Sequence, residues 1–580
     1  MIRATGSQII IKMLEMEGVR IVAGIPGGSI LPLYDELNIS DIRHVLVRQE
    51  QAAGFIAQGM ARLNGKPAVC MATSGPGAMN LLTAIADARC DSVPIVAFTG
   101  QVNSSLIGTD AFQEADTFGL SFPITKHSVM VKNALDLLTV IPAAFSIAQS
   151  GRPGPVLIDV PRDVQTAVVE FDAWPSVESL AVSSLHDPSE KFRADADEME
   201  AVSGKMCDAL LKAKRPVLYI GGGCRRTGAS DAVRAFSEKY RCAVVSSLMG
   251  LGVVSRLSGN NFGMLGMHGS YAANLAMHDA DLVFALGVRF DDRATGLIAE
   301  FCPEAKILHI DVDAAEINKI LPADLSLVCD VGAALPLLTE KISRADKIQS
   351  FADEREAWVK KLAGVYNETE SVILGRNASV PEGSINPRAF IRDIPLRAGE
   401  CGIKSSDLVV TTDVGQHQMW SAQYYPVENP RHFLTSGSLG TMGFGLPAAI
   451  GAALADRSKR VVCISGDGSI MMNIQELSTL AEENLDVTIF IMQNGSLGMV
   501  RQQQQYLFNK NYSASEFRLS PDFLTIAKGF RIDAVDVSSD PDWHKRAFSK
   551  GPHLVVVPID IEENVLPFVA AGHANVDAIR

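Results

Sequence analysis

The chain has no block of basic residues, no apolar run long enough to span a bilayer, and no cysteine spacing that fits a metal or a disulfide framework. Its 580 residues carry 52 Lys and Arg against 66 Asp and Glu, a formal charge of −14, which argues against nucleic acid or an anionic membrane as partner. The longest weakly polar run, Leu439 to Ala455, is short for a membrane span and is interrupted by Gly and Pro. The nine cysteines are odd in number and scattered, with no C-x-x-C pair, so they read as buried thiols in a reducing compartment. The N-terminus enters the amphipathic pattern Ile9, Ile10, Met13, Leu14 without a signal or transit segment. A soluble cytoplasmic protein is expected.

What is present is an apolar chain, 47% hydrophobic and 20% charged, too long for a single core and suited to well-buried α/β domains. Polar stretches at about Trp174–Met199 and Gly375–Pro387 separate three blocks, giving expected domains at 1–172, 190–345 and 370–570. A faint repeat relates the outer blocks. Ala68 to Gly77, with its Ser74-Gly75-Pro76-Gly77 turn, leads into a helix Ala78–Arg89 and a strand Val93–Thr99. Val461 to Gly468 leads in the same way into a helix Ile470–Glu482 and a strand Val487–Met492. The fold class expected is α/β, with three doubly wound parallel-sheet domains. In the middle block Gly221-Gly222-Gly223 is not a dinucleotide fingerprint, because Arg226 stands where its last Gly would be. Asp311, at the end of an expected strand, suits ribose hydroxyls or equally a cap on the next helix.

The sharpest signal is the apolar strand Val461–Ser465 running into Gly466-Asp467-Gly468, followed by a second apolar strand ending at Asn494. A hard cation such as Mg²⁺ takes oxygen ligands, and Asp467, Asn494 and a main-chain carbonyl beyond Asn494 supply them. Gly466 and Gly468 allow close approach of a diphosphate, and a helix from about Ser469 would aim its N-terminal amides at it. Gly-Asp-Gly alone would fit an ordinary strand–turn–helix; the second strand favours the cation site. The pattern resembles the thiamine diphosphate (ThDP) signature, which usually ends Asn-Asn where this chain has Gln493-Asn494. That cofactor must lose the C2 proton of its thiazolium, helped by a carboxylate bonded to N1′ of its aminopyrimidine. Glu50, expected to be buried with a raised pKa at the start of a small-residue helix, is the candidate; on its own it also reads as a first-turn Glu complementing a helix dipole.

Seven further stretches occur in one order: Gly24-Ile-Pro-Gly-Gly28-Ser, Ser74-Gly-Pro-Gly-Ala-Met-Asn80, Gly108-Thr-Asp-Ala-Phe112-Gln113-Glu, Gly151-Arg-Pro-Gly-Pro155, Gly287-Val-Arg289-Phe-Asp-Asp-Arg293, Gly415-Gln416-His417-Gln418-Met-Trp and Gly495-Ser-Leu-Gly-Met499-Val. Together they resemble the catalytic large subunit of the acetohydroxyacid (acetolactate) synthase family over nearly the whole chain. The resemblance implies a ThDP-dependent transferase that decarboxylates pyruvate and passes the two-carbon unit to a second pyruvate or to 2-ketobutyrate. It also implies roles. Glu50 is the N1′ partner and Met442 lies under the cofactor. Gln416, His417, Gly468 and Ser469 approach the diphosphate, while Asp467, Asn494 and the Ser496 carbonyl hold Mg²⁺. Gly28 and Gln113 face the reacting centre with Phe112 and Met499. Arg293 would hold the acceptor's carboxylate, although it reads equally as part of a surface Asp-Asp-Arg ion-pair cluster.

Biosynthetic members also bind FAD in the middle domain. The resemblance implies FAD contacts at Gly222, Gly223, Leu248, Met249, Gly266, His268, Arg289 and Asp311, a homodimer or homotetramer, and a small regulatory subunit. Two departures stand out: Gln503 replaces the Trp whose indole favours 2-ketobutyrate, and Arg162 replaces a common Lys. Glyoxylate carboligase, the nearest rival, lacks a carboxylate at the Glu50 position. A pyruvate oxidase would use the flavin for electron transfer, and a silent flavin-binding scaffold would not need Glu50, Asp467 and Asn494 intact.

Overall fold

The computed structural model describes residues 1–175, 193–226, 228–345, 352–376 and 380–580. Much of the first polar stretch and part of the second lie outside these residues. Three six-stranded sheets dominate, and every strand pair within them is parallel. Counted along the chain, the strands of both outer sheets lie in the order second, first, third, fourth, sixth, fifth. The repeat read in the sequence therefore corresponds to a shared topology. Ala68–Ala72 beside Ile95–Gln101 occupies the same central position as Arg460–Gly466 beside Val487–Gln493. The middle sheet runs third, second, first, fourth, fifth, sixth. A short antiparallel pair, Ile2–Thr5 with Val168–Phe171, ties the N-terminus to the end of the first block.

Central strands such as Arg460–Gly466 are buried along their whole length, as expected for a parallel sheet covered on both faces. The first and third blocks share one apolar core, in which the helix Glu50–Asn64 packs on Gly445–Ala455. Small residues make the contact possible: a Cβ on Gly59 would fall 2.2 Å from the Ala448 carbonyl oxygen, and one on Gly451 would fall 2.1 Å from that of Ile56. Any side chain at either position would force the helices apart. A 25-residue helix, Ala352–Arg376, connects the middle and third blocks. Its Trp358 and Leu362 join the middle core, and Ile373 meets Leu566 and Phe568 of the C-terminal tail.

One expected element is replaced. Instead of a continuous helix from Ile470 to Glu482, a single turn Asp467–Ile470 is followed by a short 3-10 turn, Ile474–Glu476, and a helix Leu477–Glu483. The break falls at Asn473, whose Nδ2 donates to the Gly443 carbonyl at 2.8 Å and to Gln51 Oε1 at 3.2 Å. These long-range bonds outcompete helix propagation. Among the described residues no helix is long and apolar enough to cross a membrane.

Candidate active site

Strand register builds the candidate cation site. Arg460–Gly466 and Val487–Gln493 are direct neighbours with Gly466 opposite Met492, so Asp467 and Asn494 leave adjacent strands at the same edge. Asp467 Oδ2 accepts from the Asn494 and Gly495 N–H groups at 3.1 and 2.7 Å, and Oδ1 accepts from Gly468 N–H at 3.0 Å. Burial pushes the Asp467 carboxyl up to about 6, against those three backbone donors. Asn494 Oδ1 accepts from Ser496 N–H and Oγ at 3.1 Å each, and Asn494 Nδ2 donates to Gln416 Oε1 at 3.2 Å. One carboxylate and one amide oxygen at adjacent strand ends are oxygen donors of the kind Mg²⁺ takes. Among the described residues no cluster of three or more His, Cys, Asp or Glu side chains could hold a metal.

Beside these residues the imidazole of His417 lies over two glycines, 2.9 Å from the Cβ positions that Gly415 and Gly466 lack. Burial pushes His417 down to about 3, so the ring is neutral, and its buried Nε2 has no hydrogen-bond partner in the chain. A Cβ on Gly498 would sit 2.1 Å from Gln416 Oε1. Glycine at these places keeps open a polar cradle, and an unpartnered neutral imidazole beside it can donate to a diphosphate. Ser469 Oγ donates to the Val414 carbonyl at 2.6 Å. Behind the cradle Asp413, pushed up to about 6 by burial, accepts from Val414 and Gly443 N–H at 2.9 and 2.8 Å.

A cavity of about 890 Å³ extends from this cradle into the middle domain, room enough for large cofactors. Gln416, His417, Met442, Asp467, Gly468, Ser469, Asn494, Ser496, Met499 and Gln503 line it from the third domain. Gly222, Gly223, Leu248, Met249, His268, Arg289, Arg293 and Asp311 line it from the middle domain. Gly266 does not. Its positive φ lets the chain pass Arg293, whose carbonyl oxygen would lie 2.3 Å from a Cβ there. Asp311 Oδ1 accepts from Asp313 N–H at 2.9 Å, and burial raises its carboxyl to about 7. The buried His268 Nδ1 has no partner, and burial followed by Arg293 pushes this ring down to about 4. Arg293 is mostly exposed, 3.6 Å from Asp292, with Nη1 3.8 Å from Met267 Sδ.

Four expected residues gather elsewhere. Glu50 opens its helix half-buried, a correction to the buried carboxyl expected, and Oε2 accepts from Asn80 Nδ2 at 2.9 Å. A Cβ on Gly77 would lie 3.4 Å from Glu50 Oε1. Gln113 holds a positive φ, and its carbonyl oxygen lies 2.6 Å from the Cβ position of Gly75. Gly28 is exposed; its neighbour Ser29 shares a 2.8 Å hydroxyl contact with Ser74. Phe112 is 87% exposed. The Ser74–Gly77 turn thus draws Glu50, Gln113 and the Gly28 loop to the carboxyl edge of the first sheet. None of the four lines the cavity. Arg162 is likewise exposed and outside it.

Sequence reasoning missed Asp413, Asp91 and the C-terminal tail. Asp413 follows the apolar strand Leu408–Thr412, the same strand-end signal that marks Asp467. The tail carries none: Gln416 Nε2 donates to the Glu563 carbonyl at 2.8 Å, a pairing of residues 147 apart.

Three models of one family match the chain. Residues 4–120 match the N-terminal TPP binding domain of thiamine pyrophosphate enzymes, 204–338 their central domain, and 413–557 their C-terminal TPP binding domain. The chain is a thiamine pyrophosphate enzyme. It is 46% identical over 583 residues to acetolactate synthase isozyme 1 large subunit of Escherichia coli (strain K12), a match covering 100% of this chain and 98% of that protein. It is 42% identical to isozyme 2 large subunit of the same organism, covering 99% of each. With the acetolactate synthase large subunit of Lactococcus lactis subsp. lactis (strain IL1403) it shares 40%, covering 98% of this chain and 95% of that protein. The chain belongs to the acetolactate synthase large-subunit family.

Proposed function

We propose that this chain decarboxylates pyruvate and joins the two-carbon unit to a second 2-keto acid. Pyruvate as acceptor gives 2-acetolactate and 2-ketobutyrate gives 2-aceto-2-hydroxybutyrate, the first common step of branched-chain amino acid biosynthesis. The full-length similarity to acetolactate synthase large subunits carries this reading, supported by the Asp467–Asn494 strand-end pair and the Glu50 carboxylate.

Bound ThDP supplies an electron sink for the decarboxylation. Glu50 would hold a proton at the cofactor's N1′, its carboxylate oriented by Asn80 Nδ2 at 2.9 Å. Asp467, the Asn494 amide oxygen and the Ser496 carbonyl would hold Mg²⁺. Gln416, His417, Gly468 and Ser469 would meet the diphosphate, with the unpartnered His417 Nε2 supporting that role. Met442, which lines the cavity, would pack against the cofactor. Gly28, Phe112, Gln113 and Met499 would face the reacting atoms, and Arg293 would pair its guanidinium with the acceptor's carboxylate. Gln503 gives the acceptor a polar side chain instead of an aromatic wall.

The middle domain would hold FAD through Gly222, Gly223, Leu248, Met249, His268, Arg289 and Asp311, with Gly266 shaping the chain beside Arg293. The extension of the cavity into the middle domain and the unpartnered His268 Nδ1 support this assignment. The Glu50 group and the Asp467 cradle occupy separate places in one chain, which favours completion of the site between two copies as a homodimer or homotetramer. The relatives are named large subunits, which favours a small regulatory partner. Nine unpaired thiols favour the cytoplasm. Product analysis tests the reaction. Pyruvate alone should yield 2-acetolactate with CO₂, and a pyruvate/2-ketobutyrate mixture both acetohydroxy acids; oxygen uptake without either product would refute it.

A further inference from the structure

The stretch from Ser436 to Met442 lines the cavity wall between the two expected cofactors, and carboxylates from a different domain hold it. Asp87, on the helix Pro76–Cys90, is fully buried. Its Oδ2 accepts from Thr441 Oγ1 at 2.9 Å and from Ser436 Oγ. Asp91, at the end of the same helix, accepts from Gly437 N–H at 2.8 Å and from Ser438 N–H at 2.9 Å. Arg62 stands behind both, with Nη2 2.9 Å from Asp91 Oδ2 and 3.4 Å from Asp87 Oδ1. From the middle domain Arg289 donates to the Cys90 carbonyl at 2.9 Å and to Ser438 Oγ. The Met249 side chain of the middle domain packs on the same stretch, its Sδ 2.4 Å from where a Cβ on Gly437 would lie.

Asp87 touches neither cofactor's expected contacts. Its two hydroxyl partners bracket the stretch: Ser436 opens it, and Thr441 immediately precedes Met442. Ser436 Oγ also accepts from Thr441 N–H at 2.9 Å, so one carboxylate oxygen closes a ring of hydrogen bonds around the turn. A buried carboxylate bound this way is costly to disturb, because any hydroxyl that lets go is left unpaired in the interior.

We propose that Asp87 is a positioning residue for the reaction, acting through Ser436 and Thr441 to fix the backbone that presents Met442 to the thiamine cofactor. The role rests on the reading of Met442 given above. Arg62 and Asp91 anchor the turn from the helix side, and Asp87 sets its far end. The proposal concerns geometry at the cofactor rather than its retention, which separates a positioning role from simple packing.

The test compares Thr441→Val, which removes only the hydroxyl, with Thr441→Ser, which keeps it, and adds Asp87→Asn. The readout is C2 proton exchange of bound ThDP at saturating cofactor, alongside flavin content and thermal melting. Thr441→Val and Asp87→Asn should each slow exchange by about threefold to tenfold, the size expected for one lost hydrogen bond, and Thr441→Ser should exchange at the wild-type rate. Unchanged exchange in Thr441→Val would reduce Asp87 to a packing residue even if melting falls, as would failure of Thr441→Ser to restore the rate. If Asp87→Asn does not fold, the two Thr441 variants decide the matter alone. Glu50→Gln serves as the control: normal exchange there would overturn the assignment of the thiamine site itself, whatever the Asp87 and Thr441 variants do.

Discussion

Gln502 and Val565 exchange two hydrogen bonds, Gln502 Nε2 donating to the Val565 carbonyl at 3.0 Å and Val565 N–H donating back to Gln502 Oε1 at 2.8 Å. The tail therefore pins the helix Gly498–Leu507 and fixes which of its side chains turn toward the cavity. Gln503 is among them. With an amide where an aromatic wall would stand, the enzyme should show little preference for 2-ketobutyrate over pyruvate. Gln503→Trp should raise that preference by about 1 kcal/mol, roughly tenfold or less, through contact with one extra methylene. Competition assays measuring both acetohydroxy acids from one mixture check this; a strong native preference for 2-ketobutyrate would show that another side chain supplies the wall.

Glu50→Gln should bind ThDP nearly as well as the wild type while slowing C2 proton exchange by about 10²- to 10⁴-fold, the range of general acid–base groups. Exchange followed by NMR after acid quench gives the number, and binding is read separately from fluorescence quenching. A variant that exchanges normally would remove Glu50 from the chemistry.

The separation of Glu50 from the Asp467 cradle predicts complementation. Glu50→Gln and Asp467→Ala chains, each inactive alone, should regain activity when mixed and reassembled, because a mixed dimer keeps one intact site. Activity of a monomer at high dilution would contradict the shared site.

Asp159 supplies a pH prediction. Burial pushes its carboxyl up to about 7, opposed by hydrogen bonds from Thr99 and Gln101. The unfolded carboxyl ionises near its ordinary value of about 3.9. Between those values the folded state keeps a proton that the unfolded chain has released, so stability falls as the pH rises through the window. The loss attributable to this group is on the order of 4 kcal/mol at most. Melting of the cofactor-free protein from pH 5 to 8 should show the decline, and Asp159→Asn should flatten it; identical slopes would mean that the carboxyl is ionised throughout.

Much of the architecture could be read from the sequence because its signals are local. Apolar strands ending in Gly-Asp-Gly and Asn494 marked the candidate cation site, and the Ser-Gly-x-Gly turns marked the topology shared by the outer sheets. The break at Asn473 was not legible, since helix propensity carries no information about Gly443 and Gln51 waiting in the folded protein. The ring around Asp87 was hidden for the same reason: Asp87 and Ser436 lie 349 residues apart, and no periodicity marks a carboxylate that will be buried. Glu50 was singled out by the chemistry a cofactor would need, and its half-exposed state was not legible, because burial depends on what packs over the helix start and not on the helix itself.

Asp467 and Asn494 leave adjacent, hydrogen-bonded strands in fixed register, so the gap between the metal-ligand candidates is set by the interstrand spacing of about 4.8 Å and not by the chain that joins them. For protein engineering this makes the crossover a tolerant insertion point. Asn484, exposed and in a left-handed conformation at the end of the helix Leu477–Glu483, could carry a reporter peptide or a longer loop while the ligand pair keeps its geometry.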